Sequence, residues 1–151
     1  MPAGGSEQYI ISRLGNERHA INIRDIDEII KLQHITAVPN SRPFIRGVIN
    51  LRGRIVPVIS MCRRIGIPDT PIHAQSRIIV VRYQQEAIGI IVDAVEKVTS
   101  FEEIEPPLDD NETMGSEYME GIGQVADGMI SILNIQRLLG EGGNNMGGGA
   151  R

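Results

Sequence analysis

The chain has 151 residues, 41% of them apolar and only 3% aromatic, with no Trp and a formal net charge of −4. That length suits one domain or two small lobes with a core of Ile, Val and Leu, and the shortage of rings argues against stacking platforms for single-stranded nucleic acid. One cysteine, Cys62, excludes an internal disulfide and fits a reducing compartment, and no apolar run approaches the roughly 20 residues of a membrane span. The N-terminal MPAGGSEQ has neither a basic start nor an apolar run, so it does not read as a secretory signal. A cytoplasmic protein without direct membrane insertion is expected.

Residues 1–7 form a Gly-containing leader that is expected to be flexible. Gln8 to Leu14 reads as a strand, Gly15-Asn16-Glu17 as a turn, and Arg18 to Ile23 as the antiparallel mate. Asp25 to Ile30 is either a helical turn capped by Asp25 or a bent strand. Ile35 to Val38 is a further short strand before the turn at Pro39-Asn40-Ser41. The stretch Phe44 to Ile59, FIRGVINLRGRIVPVI, then holds two β-branched runs around Arg52-Gly53. Gly53 tolerates a positive φ, so this is a tight hairpin. Gly47 opens its first strand, where another backbone can come close, and Pro57 marks an edge or a bulge in the second. Met61 to Ile65 reads as one helical turn stopped by Gly66, followed by a surface connection from Pro68 to Gln75.

A second cycle follows. Arg77 to Tyr83 and Ala87 to Val92 are strands around Gln84-Gln85, the latter apolar almost throughout and so buried on both faces. Val95 to Phe101 continues as a strand or bend. Glu102 to Glu120 is an acidic loop with Pro106-Pro107 and room for one short turn. Gly121 to Val125 and Met129 to Asn134 form a hairpin across Ala126-Asp127-Gly128. Ile135 to Leu139 is a helical turn capped by Asn134 and stopped by Gly140, and residues 141–151 are a Gly-rich tail expected to be disordered.

The cycles echo each other. Ala20-Ile21-Asn22-Ile23 returns as Ala87-Ile88-Gly89-Ile90, an offset of 67, and Val58-Ile59-Ser60-Met61 returns as Ile132-Leu133-Asn134-Ile135, an offset of 74. Many short strands at this spacing indicate an all-β fold of small barrels or a sandwich, and two five-stranded barrels packed side by side, with short helical turns, fit the count. Charge is unevenly spread. Ile29 to Pro68 holds seven basic residues and no acid, whereas Asp93 to Asp127 holds eleven acids and one base, Lys97. Such asymmetry steers oriented docking onto a partner.

Chemistry is mostly missing. His19, His34 and His73 stand apart from any ligand spacing, so no metal is expected. No phosphate-binding glycine loop and no GxSxG elbow is present, and no cofactor is expected. Cys62 beside Arg63 and Arg64 allows a lowered thiol pKa, which makes a reactive-cysteine enzyme the third reading. A small-barrel nucleic-acid binder is the second, opposed by the acidic pI near 5.4. The first is a non-enzymatic binding module whose Ile- and Val-lined groove between the barrels receives an amphipathic helix.

Three segments, Asp25-Ile26-Asp27-Glu28-Ile29-Ile30, Val38-Pro39-Asn40 and Phe44 to Ile59, strongly resemble the CheW family of chemotaxis coupling proteins. The likeness continues through Gly89 to Val95, Ile104 to Pro107 and Glu117 to Gly123, and covers residues 8–140. The resemblance implies a CheW-like domain of two SH3-like five-stranded barrels. It implies an adaptor that joins the cytoplasmic tip of a chemoreceptor to the regulatory domain of the histidine kinase CheA. Such an adaptor is monomeric when free and forms rings in arrays at the inner face of the membrane. Adaptors of related chemosensory systems, such as those controlling twitching, share the domain. Carried over by position, Ile26, Glu28, Ile29, Gly47, Arg52, Val92 and Val95 are receptor-binding candidates. Gly53, Glu105, Pro106, Pro107 and Leu108 are kinase-binding candidates. Arg52 pairs either with an acid on the receptor or with Glu28 in the same molecule. Two positions depart from the family pattern: Asp110 stands where a more apolar residue is expected, and Ser60 where an acid is frequent.

Overall fold

The computed structural model describes residues 7–106, 116–126 and 128–140. Residues 1–6 of the expected leader, the tail 141–151, and Pro107, Leu108, Asp110 and Asp127 lie outside the described residues. Glu7 is described: it accepts hydrogen bonds from the Tyr9 hydroxyl and the Asn22 amide and pairs with Arg24.

Among the described residues eleven strands form two sheets, one of six strands and one of five. β1 (Tyr9–Leu14) and β2 (Glu17–Asn22) make the first hairpin, and β3 (Ile26–Lys31) follows a 3-10 turn at Ile23–Asp25. Next come β4 (Ile45–Leu51), β5 (Arg54–Ser60) and the short helix α1 (Met61–Ile65). The second cycle runs β6 (Arg77–Tyr83), β7 (Glu86–Val92), β8 (Ala94–Thr99), β9 (Ile104–Glu105), β10 (Met119–Val125), β11 (Gly128–Leu133) and α2 (Ile135–Gly140). The sheet orders are β8-β1-β2-β11-β10-β9 and β3-β6-β7-β5-β4. Each curls into a small SH3-like barrel.

The barrels are built alike but by exchange. The first hairpin, β1–β2, sits in the sheet of the second cycle's β8, β10 and β11. The second hairpin, β6–β7, sits in the sheet of the first cycle's β3, β4 and β5. β2 meets β11 and β7 meets β5 in parallel, so each barrel closes across the two cycles. The hairpin offset is 69 rather than 67: Leu14 opposite Glu17 corresponds to Tyr83 opposite Glu86, 14 to 83 and 17 to 86. A slip of two residues leaves every side chain on the same face, so alternation alone does not reveal it. The offset of 74 holds for β5–α1 against β11–α2. Ser60 and Asn134 both cap a helix, accepting from Arg63 N–H at 3.2 Å and from Arg137 N–H at 3.0 Å.

Three apolar clusters follow from strand alternation. Tyr9, Ile11, Ala20, Phe101, Ile130 and Ile132 fill one barrel, and Ile49, Val56, Val58, Ile78, Val80 and Ile91 are central to the other. The third lies between the barrels, built from the opposite faces of the same strands: Ile10 and Ile21 meet Ile79, Ile88, Ile90 and Val92. Burial of β7 on both faces is as expected. The open apolar groove is not. The facing side chains fill that space themselves, since Ile21, Ile79, Ile90 and Val92 are all at 0% exposure. Displacing these four would cost about 6–12 kcal/mol, of the same size as the ~8 kcal/mol that a micromolar complex gains.

Several local expectations are corrected. Of the two alternatives for Asp25 to Ile30 the bent strand holds, over residues 26–31, but the cap before it is Asn22 rather than Asp25, its side chain accepting from Arg24 N–H at 2.9 Å. Ile35 to Val38 is not a strand: only Thr36 bridges, to Val48. The acidic loop contains β9, and β10 begins at Met119, two residues before the expected Gly121.

Candidate functional site

The β4–β5 turn is closed by Leu51 opposite Arg54, with Arg52 at φ 54° and Gly53 at φ 86°. Two consecutive left-handed residues give the hairpin the twist of its strands. Asn50 Oδ1 accepts from Gly53 N–H at 2.9 Å and fixes the turn. The Arg52 guanidinium donates to the Glu28 carboxylate of β3. Beside it Arg82 of β6 pairs with Asp27 at 2.8 Å. A register shift between Ile26 and Glu28 is what places two successive acids along this edge. The Arg52 side chain is 68% exposed, so the pair contributes about 0–1 kcal/mol to stability. Its geometry leaves the guanidinium accessible to a partner's carboxylate. Arg54 and Leu51 complete a cleft of about 270 Å³ with these four charged groups.

The other candidates divide. Ile26, Ile29 and Val95 are half-buried and pack on the rim of the inter-barrel cluster, from the edge strands β3 and β8. Val98, further along β8, is half exposed. Val92 lies inside the same cluster at 0% exposure, as a core residue of this chain. Gly47 is also buried. A Cβ there would overlap the Thr36 carbonyl oxygen, so its backbone role is visible where its contact role is not. Among the kinase-binding candidates, Gly53 has no heavy atom within 4 Å of an added Cβ. Glu105 and Pro106 are exposed at the β9 edge of the other sheet. The described members of that set are therefore on different barrels.

Cys62 is a packed thiol, and burial pushes its pKa up, so the lowering that its arginine neighbours would allow does not arise. Those arginines are engaged elsewhere: Arg63 with Asp69 at 2.9 Å, and Arg64 with the Leu138 carbonyl at 2.6 Å and the Tyr118 hydroxyl at 2.8 Å. Among the described residues no group of three His, Cys, Asp or Glu stands close enough to hold a metal ion. No helix among them is long and apolar enough to cross a membrane. Ser60, the departure noted above, keeps the capping function that an acid would have, and Asp69 brings a carboxylate to its hydroxyl at 3.2 Å.

Sequence reasoning missed Asp27 and Arg82, Thr36, and Ile55, which is 65% exposed just after the turn. The signal for Asp27 is its neighbour: adjacent acids on one strand can share an edge only at a bulge. The model of the CheW-like domain matches residues 8–142. The chemotaxis protein CheW of Klebsiella aerogenes is 33% identical over 135 residues, 88% of this chain and 81% of that one. The Thermotoga maritima chemotaxis protein CheW is 33% identical over 122 residues, 81% of this chain and 80% of that one. The crystal structure of scaffolding protein TtCheW from Thermoanaerobacter tengcongensis superposes with a TM-score of 0.82 at 36% identity, covering 92% of this chain and 90% of that one. With the family model spanning nearly the whole chain and the same fold in a solved relative, this chain belongs to the CheW family of chemotaxis scaffold proteins.

Proposed function

We propose that this chain acts without chemistry, in the cytoplasm, by holding the tip of a chemoreceptor and the regulatory domain of the kinase CheA in fixed relation within receptor arrays. Two observations support the reading: Ile26, Ile29 and Val95 are half-buried against the rim of the inter-barrel cluster from edge strands, and the accessible Arg52–Glu28 pair is anchored on the same strand as the two isoleucines. A receptor helix lies along that rim, its apolar stripe on the three side chains and an acidic group exchanging with Glu28 for Arg52. It does not enter the space between the barrels, which is occupied. The kinase domain meets the chain at Gly53 and along the segment that starts at Glu105 and Pro106. Control of the kinase is then a matter of geometry, transmitted by a shift in how the two partners are held.

The test is binding. Arg52→Glu is expected to weaken capture of a receptor-tip fragment at least tenfold while moving the thermal midpoint by no more than a few degrees, because the lost pair is exposed. Unchanged capture, or a collapse of the midpoint, would contradict the assignment of Arg52 to the partner.

A further inference from the structure

Neither half of the chain closes a barrel alone. Residues 7–65 carry β1 to β5 and α1, and residues 77–140 carry β6 to β11 and α2. The ladders within the first half are β1–β2 and β4–β5, and within the second β6–β7, β9–β10 and β10–β11. The four ladders that complete the sheets, β1–β8, β2–β11, β3–β6 and β5–β7, all cross from one half to the other. So does the polar contact of Arg64, whose guanidinium lies over both the Phe44 and Tyr118 rings and donates to Leu138 O. Asp93 does the same, accepting from Gly15 N–H at 2.7 Å.

A single connection, residues 66–76, joins the halves. Its near end is tied to the first half by Asp69, which bonds Arg63 and Ser60. Thr70 donates to Asp93 of the second half. Beyond Thr70 the hydrogen bonds are local, among His73, Gln75 and Ser76, and residues 71–75 are exposed.

We propose that a second copy of this chain can supply the missing half, giving an exchanged dimer. Residues 7–70 of one copy pair with residues 76–140 of the other, twice, and only the exposed residues 71–75 change their path. Every ladder, cap and core contact described above is kept in both units, so the exchange costs no packing. What opposes it is proximity: a short tether holds the two halves of one chain at an effective concentration of roughly millimolar. Dilute folding therefore closes the monomer, and folding at comparable concentration traps the dimer. In that dimer Ile26 and Ile29 come from one copy and Val95 from the other, so two complete apolar rims are tethered together. The inference rests on strand order and not on the proposed partners.

The experiment uses the full chain with a protease site inserted between His73 and Ala74. The protein is unfolded in denaturant and refolded at concentrations from ~10 µM to ~1 mM, a range that rises to the effective concentration of the tether. Mass is read by light scattering after size exclusion, before and after cleavage. The expected result is a dimer whose share rises with concentration and which falls to monomer-sized particles, each holding both fragments, once the connection is cut. A dimer that keeps its mass after cleavage is a surface association and overturns the proposal. So does the absence of dimer at every concentration, or the separation of the cut monomer into single fragments.

Discussion

The two barrels share a backbone and differ in what they bury and expose. At the start of β4, Gly47 follows a bulge and lies under the Thr36 carbonyl, and at the start of β10, 74 residues on, Gly121 follows a bulge and lies under Glu105. Ile35 and Ile104 crowd the two glycines in the same way. The crossing of a second backbone is thus a requirement of the barrel, not of one partner. The inter-barrel faces differ. Val81 opposite Ile88 in one barrel corresponds to Ser12 opposite His19 in the other. His19 is 2% exposed, its Nδ1 lacks a hydrogen-bond partner, and its Nε2 lies 3.3 Å from Glu17. The bulge residues are opposite in charge, Arg46 against Glu120, and the hairpin turns carry Arg52 in one case and Ala126 in the other. Architecture is repeated and side-chain chemistry is not, so one backbone design carries two chemically different barrels.

The largest expected effect breaks the likeness at the glycines. Gly47→Ala sets a Cβ against a carbonyl oxygen at φ 148°, and should cost about 3 kcal/mol or more in urea unfolding. Gly121→Ala meets Ile104 Cγ2 at 2.6 Å and Glu105 O at 2.8 Å without a positive φ, and should cost less, about 1–3 kcal/mol. Equal tolerance of both changes would show that the crossing does not require glycine.

The next effect lies at the polar face. Burial pushes His19 down to about 4 from the ordinary value of 6.5. Above pH 6.5 the histidine is neutral in both folded and unfolded chains. As pH falls from 6.5 towards 4 the unfolded chain takes up the proton first, so stability is lost over that window, by up to about 3 kcal/mol. His19→Ile, which copies the other barrel's Ile88, should remove that part of the pH dependence. It should also gain about 1 kcal/mol at pH 7 by deleting an unpaired buried nitrogen. An unchanged difference between pH 7 and pH 4.5 would mean that His19 is hydrated or protonated in the fold.

The smaller effect concerns the caps. Ser60→Ala and Asn134→Ala should each cost about 1 kcal/mol, because each deletes one bond to a helix N–H. A much larger loss at Ser60 would assign extra weight to its contact with Asp69.

Much of this was legible in the residues. β-Branched runs around Arg52-Gly53 and around Gln84-Gln85 mark hairpins, because alternation and turn chemistry are local properties. Which hairpin joins which barrel was not, since a strand's own pattern does not name its neighbour. The unbroken apolar run of β7 did announce burial on both faces. Its consequence, that the space between the barrels is full and Val92 is core, needed the partner strands β1, β2 and β6. Of the site, the Arg52–Glu28 pair was readable as one of two alternatives. The Arg82–Asp27 pair depends on a bulge whose one local sign is the adjacent acids Asp27-Glu28, and Thr36 is visible only once its carbonyl is seen over Gly47.

The most direct measurement is a heteronuclear NMR titration of the isotope-labelled chain with a receptor-tip helical hairpin. The account predicts shift changes at high micromolar concentration that gather on Ile26, Glu28, Ile29, Arg52 and Val95, and leave the interior of the inter-barrel cluster, such as Ile90, in place. No change at that concentration, or changes that spread through the cluster's interior, would contradict it.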